Sequence, residues 1–162
     1  GEKAFMGDWT DHMTTSFPEV RLKKYIEMRG ADTGPWRNIC ALPALWTGIL
    51  YDSDAQQAAA DMVAGWSVEE MAAMRDAVPK TALQTRFRDG TVQDLAKQMI
   101  EISRHGLKRR ARTDSAGNDE SGFLNWLQEV ADSGKSPADR LLDLYHGEWQ
   151  GQIDPLFEYQ RY

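Results

Sequence analysis

Phe17-Pro18-Glu19-Val20-Arg21-Leu22-Lys23-Lys24-Tyr25-Ile26-Glu27-Met28-Arg29-Gly30 is the stretch that decides the fold. From Arg21 to Arg29 the side chains alternate in character. Leu22, Ile26 and Met28 fall on one side, with Lys24 the exception, and Arg21, Lys23, Tyr25, Glu27 and Arg29 fall on the other. A period of two is the mark of a strand with one face on a core and the other polar. Gly30 and the Asp32-Thr33-Gly34-Pro35 cluster stop it. Upstream, Met13 to Phe17 reads as a short strand or an extended approach.

Downstream the signals are helical. Pro43 ahead of Ala44-Leu45-Trp46 suits a first helical turn, where a missing N–H does no harm. Asp52-Ser53 offers an N-cap for the alanine-rich run from Ala55 to Ala64, which Gly65 closes. Ser67-Val68-Glu69-Glu70 is a capping box, with Trp66 and Met71 at the staple positions, and that helix is expected to stop before Pro79. Lys80 to Gly90 is a connector anchored by Phe87. A long amphipathic helix starts at about Thr91, with Leu95, Met99 and Ile102 on its core face. It ends in Lys108-Arg109-Arg110-Ala111-Arg112, a solvated basic run that suits the negative end of a helix dipole. Thr113 to Ser121 is a polar loop. Phe123, Leu124, Leu127 and Val130 mark another helix, and Ser136-Pro137-Ala138-Asp139 starts one more. The apolar tail after Trp149 packs back on the helices.

The expected fold class is α+β, predominantly helical, with one or two strands followed by about five helices. Residues 1–162 form a single portion, divided into a strand-bearing segment, 1–38, and a helical region, 39–162. One or two strands do not make a stable sheet in water. Either the Arg21–Arg29 strand pairs with another copy of the chain, or the rest of its sheet lies in sequence outside these 162 residues. The second reading makes this the carboxy-terminal part of a longer protein.

Hydrophobic residues make up 41% and charged residues 27%, an ordinary balance for a globular domain. A net charge of -6 argues against nucleic acid as a partner. The longest apolar stretch, Ile39 to Tyr51, is too short to span a bilayer as a helix, so no membrane is expected either. The single cysteine, Cys40, fits a reducing compartment, and no signal-like segment opens the chain. A cytoplasmic location is therefore expected.

Glu27 and Arg29 leave one strand face with their bases about 7 Å apart. A carboxylate that holds Mg²⁺ against phosphate oxygens, beside a guanidinium that meets the phosphate directly, would divide one polyphosphate between them. Tyr25, Lys23 and Arg21 continue the same face. The competing reading of these residues is a solvated sheet face with no further role. His12, His105 and His146 have no ligand spacing, Cys40 reads as a buried thiol, and the six tryptophans read as core or inter-element anchors. No Walker-type loop or dinucleotide fingerprint occurs.

The same stretch, from Phe17 to Asp32, resembles the plant-type glutamate–cysteine ligase family, which also occurs in proteobacteria. The resemblance continues through Gly34-Pro35-Trp36-Arg37, Cys40-Ala41-Leu42-Pro43-Ala44-Leu45-Trp46 and Gly48-Ile49-Leu50-Tyr51-Asp52. It returns at Phe87-Arg88-Asp89-Gly90, Gly122-Phe123-Leu124, Ser136-Pro137-Ala138, Gly147-Glu148-Trp149 and Asp154-Pro155. It implies the carboxy-terminal portion of a glutamine-synthetase-like ligase fold. It also implies ATP-dependent joining of the γ-carboxylate of L-glutamate to the amine of L-cysteine through an acyl phosphate, the first step of glutathione synthesis. Ligases of this superfamily carry a Glu-x-Arg pair on a late strand, which falls on Glu27 for Mg²⁺ and Arg29 for nucleotide phosphate. Arg21, Lys23 and Tyr25 are weaker candidates for lining the nucleotide site.

The resemblance leaves the family's other carboxylates and its amino-acid pockets to upstream sequence. The missing amino-terminal part of the ligase is thus an expected partner, and the chain alone is expected to be inactive. Its strand edge would favour self-association. Cys40 matches a position paired in a regulatory disulfide in plant members, a pair that one cysteine cannot make internally. Two alternatives stay open: a helical interaction module that offers its strand to a partner's sheet edge, and a ligase-like paralogue joining glutamate to another amine.

Overall fold

Capping residues and helical periodicity account for most of the architecture in the computed structural model, which describes residues 3–161. Among these, eight α-helices and two small antiparallel sheets follow one another, and the chain divides into two compact units at Thr33/Gly34. No helix among the described residues is long and apolar enough to cross a membrane.

The first unit opens with α1, Met6–Thr14. The Asp8 carboxylate accepts the Phe5 N–H at 2.7 Å, and Met6, Trp9 and Met13 share one face at helical spacing. Met13 therefore lies in a helix, not in the short strand or extended approach expected from the sequence. Next comes a hairpin of β1, Val20–Leu22, and β2, Ile26–Met28, in the register Val20↔Met28, Arg21↔Glu27 and Leu22↔Ile26. The single strand expected over Arg21–Arg29 is thus folded back at Lys23-Lys24-Tyr25, where the Lys23 N–H donates to the Tyr25 carbonyl at 2.8 Å.

With three residues at the tip, directly opposed residues differ by an even number. Odd-numbered side chains therefore share one face, as they would on an unbroken strand. The even face, Val20, Leu22, Ile26 and Met28, is apolar. Its Val20, Leu22 and Ile26 are 50%, 80% and 58% exposed, so nothing in this unit covers it.

The second unit is helical. Its helices are α2 (Trp36–Leu50), α3 (Ser53–Val63), α4 (Val68–Thr81), α5 (Val92–Arg110), α6 (Asn125–Ser133), α7 (Pro137–His146) and α8 (Asp154–Tyr159). Caps start four of them. Asp52 accepts the Ala55 N–H at 2.8 Å, and Ser67/Glu70, Thr91/Asp94 and Ser136/Asp139 are reciprocal capping boxes. Two helices ignore the expected proline boundaries. Pro43 lies in the interior of α2, which begins at Trp36, and Pro79 lies inside α4. Each proline is exposed, as is the residue four positions earlier (Ile39 or Arg75), so both prolines lie on the solvent side of their helices.

α2 and α5 cross at the centre of the unit. Ala44, Ile100, Leu107, Leu124 and Ala131 form the core, flanked by Leu45, Ala96 and Leu127. The crossing is made close by small residues. Gly48 and Gly106 meet backbone to backbone, and the buried Ser103 hydroxyl donates to the Leu45 carbonyl at 2.9 Å. The core face of α5 is accordingly Ile100, Ser103, Gly106 and Leu107, while the expected Leu95, Met99 and Ile102 are only half-buried.

The connector forms a second hairpin, β3 (Arg86–Phe87) with β4 (Gly90–Thr91). Phe87 anchors it, as expected, in edge-to-face contact with Trp66 at 4.7 Å. The tail packs back through Trp149 and Tyr159, 5.7 Å apart. Trp9 and Trp36 are exposed and do not act as core anchors, and Cys40 is half-buried.

Arginines pin the corners of this unit. Arg109 reaches Asp52 at 2.8 Å and Asp54 at 3.2 Å, and Arg110 reaches Glu120 at 3.2 Å. Part of the basic run thus ties helices together and is not merely solvated. Arg88 binds both Glu70 oxygens, at 2.8 and 2.7 Å, and the Gly65 carbonyl.

Candidate functional site

The odd face of the β1–β2 hairpin carries Arg21 directly opposite Glu27. Arg29 lies one rung further along, where its N–H donates to the Glu19 carbonyl at 2.8 Å. Glu19 and Arg29 therefore continue the ladder past its last paired residues, and four side chains of alternating sign stand on one surface. Glu19 was not singled out from the sequence, although it shares the odd-number parity of Arg21, Glu27 and Arg29.

Arg21 donates to Glu27 through Nε at 2.7 Å, and its Nη2 stands 2.7 Å from the same oxygen, Oε2. The pair uses one carboxylate oxygen and leaves Oε1 for other partners. Both side chains are about two-thirds covered, at 28% and 31% exposure. The hydrogen bond from Arg21 holds the Glu27 carboxyl below its usual range, so it stays a carboxylate at neutral pH.

Arg29 is anchored differently. Its guanidinium carbon lies 5.1 Å from the Phe17 ring centroid, and its Nη1 is buried without a hydrogen-bond partner among the described residues. A guanidinium and a carboxylate on one hairpin face are group types that suit a metal-bound anion: hard oxygen for the cation, guanidinium for the anion. Phe17, which supports Arg29 from below, is the other residue that sequence patterning passed over.

Lys23 and Tyr25 do not stand on this ladder. Both lie in the hairpin tip, exposed, and the structure brings neither onto the rungs with Glu27 and Arg29. The expectation that they continue the charged face holds for parity but not for position, because the chain reverses at those residues.

No group of three His, Cys, Asp or Glu side chains able to hold a metal occurs among the described residues. His12 stacks near Trp9, His105 pairs with Glu101 at 2.9 Å, and His146 stands against Tyr145. In the helical unit, a groove of about 600 Å³ is lined in part by Met62, Trp66, Phe87, Leu95 and Ile102.

The sequence model described as glutamate-cysteine ligase family 2 (GCS2) matches residues 1–159. The chain is 50% identical over 158 residues to "Glutamate--cysteine ligase, chloroplastic" of Solanum lycopersicum, covering 98% of this chain and 29% of that protein. Against "Glutamate--cysteine ligase A, chloroplastic" of Oryza sativa subsp. indica the identity is 51%, covering 98% and 31%. Against the Arabidopsis thaliana protein of the same name as the tomato one it is 49%, covering 98% and 29%. The chain thus spans about 30% of the length of these relatives.

The names also overturn one expectation. These relatives are chloroplastic, which conflicts with the cytoplasmic location read from the opening residues. Matched along nearly its whole length, with the Glu27–Arg29 hairpin inside the match, the chain belongs to glutamate-cysteine ligase family 2.

Proposed function

We propose that this chain supplies the nucleotide- and cation-facing hairpin of an enzyme that joins L-glutamate to L-cysteine with turnover of ATP. In this reaction the γ-carboxylate of glutamate takes the terminal phosphoryl group, and the cysteine amine then displaces phosphate to give γ-glutamylcysteine. Such chemistry depends on fixed positive charge around the moving phosphoryl group. The observation that carries the reading is the buried Nη1 of Arg29, without a partner among the described residues, on the same face as the Glu27 carboxylate.

Glu27 suits one position of a magnesium site. Mg²⁺ takes hard oxygens in an octahedron, keeps several waters and needs only one or two carboxylates from protein. Bound there, the ion would neutralise phosphate oxygens. Arg29 would donate to a phosphate oxygen and keep it oriented through the transfer. Lys23, Tyr25 and Arg21 would line the approach, the first two from the tip of the hairpin and Arg21 from its rung. The remaining metal ligands and both amino-acid pockets are assigned to the part of the ligase outside this chain.

The test is formation of γ-glutamylcysteine from glutamate, cysteine and Mg·ATP by the full-length protein, with release of one phosphate per product. No product from cysteine, or faster turnover with another amine, would overturn the substrate assignment. The 162-residue chain alone is expected to make none.

A further inference from the structure

On the reading of Glu27 as a cation ligand, its present partner Arg21 competes with the cation for the same carboxylate. We propose that Arg21 is the resident counterion of Glu27, displaced by the incoming divalent cation and thereby freed to meet the anion that the cation accompanies.

Three features carry this inference. The Arg21 side chain engages the Glu27 side chain at one oxygen, with both contacts at 2.7 Å on Oε2. The exchange therefore needs rotation of one side chain and no change in the ladder, whose register is fixed by Val20↔Met28 and Leu22↔Ile26. The pair is partly open to water, so solvent screening keeps it weak, while a dipositive ion attracts the same carboxylate twice as strongly at equal distance. Finally, a displaced Arg21 stays on the face that already carries Arg29. Two guanidinium groups would then flank one metal-bearing carboxylate, an arrangement matched to the oxygens of a polyphosphate. Arg21 is on this view a positioning residue that becomes a ligand-contacting one. If it were only a structural rung, it would remain on Glu27 throughout.

The test titrates Mn²⁺ into the full-length ligase without nucleotide, following the free ion by electron paramagnetic resonance. Wild type, Arg21→Gln and Glu27→Gln are compared. Arg21→Gln is expected to tighten one equivalent of Mn²⁺ roughly tenfold, and Glu27→Gln to lose that equivalent. Arg21→Gln should also reduce, by a similar factor, the gain in ATP affinity that Mn²⁺ confers. Should Arg21→Gln fail to fold, Arg21→Lys keeps the charge but not the paired donation, and is expected to tighten Mn²⁺ by about threefold. Unchanged Mn²⁺ affinity in the Arg21 variant, with the equivalent lost in Glu27→Gln, overturns the counterion role and leaves the cation site standing. Unchanged binding in Glu27→Gln overturns both.

Discussion

Gly106 of α5 lies against Gly48 of α2 so closely that a Cβ on Gly106 would fall well inside contact distance of the Gly48 carbonyl oxygen. The reverse holds as well, since a Cβ on Gly48 would meet the backbone of Ser103. Neither obstruction is the tip of a flexible side chain, so the helices themselves would have to part. Gly106→Ala is expected to destabilise the chain by about 2 kcal/mol or more in urea unfolding. Gly122→Ala, where a Cβ meets nothing within 4 Å, is expected to stay within about 0.5 kcal/mol.

Acid should loosen the corners of the helical unit. Hydrogen bonds from Arg88 and then from the Ser67 N–H hold the Glu70 carboxyl down at about 2, against an ordinary 4.5. Arg109 and the Ala55 N–H hold Asp52 at about 2, against 3.8. A folded-state value below the unfolded one stabilises the fold above the unfolded value, and this contribution is lost as pH falls through the folded one. Urea midpoints are therefore expected to be flat from neutral pH to about 4.5 and to fall between there and 2. The Glu70→Gln, Asp52→Asn double variant should start lower and show a shallower fall.

Within the full-length ligase, Arg29→Ala is expected to lower kcat/KM roughly 100-fold with little change in thermal midpoint. Glu27→Gln should raise the Mg²⁺ concentration needed for half-maximal rate. A loss of activity in Arg29→Ala that tracks a fall in thermal midpoint would point instead to a structural role over Phe17.

The apolar face of the β1–β2 hairpin, with Leu22 at 80% and Ile26 at 58% exposure, is a surface that proteins in isolation rarely leave bare. Sedimentation of the separately produced chain is expected to show association at micromolar concentration. The Leu22→Thr, Ile26→Thr variant should move it toward monomer, and identical profiles would refute the role of this face.

Much of the helical unit is legible in the sequence because its helices announce their starts. Asp52 and Ser67 with Glu70 cap where expected, and Thr91 and Ser136 begin helices where starts were expected. The misreadings share a physical cause, which is that local rules yield to environment. Pro43 and Pro79 are admitted to helix interiors on exposed helix faces. The core face of α5 was sought among large residues, whereas close approach selects Ser103 and Gly106. At the candidate site, parity correctly grouped Arg21, Glu27 and Arg29. It was blind to the reversal because a three-residue tip preserves parity, and Lys23-Lys24-Tyr25 contains none of the glycine or asparagine that usually marks a hairpin.

Asp52 and Glu70 each hold two things at once, the opening turn of their own helix and an arginine from a distant segment. Helix ends are ordinarily the first parts to fray, opening independently of the rest. Here the first turn of α3 is tied to the end of α5 through Arg109, and that of α4 to the β3–β4 hairpin through Arg88. Amide hydrogens there, such as that of Ala55, should exchange with solvent as slowly as interior ones. These termini belong to the cooperative unit of unfolding instead of its periphery.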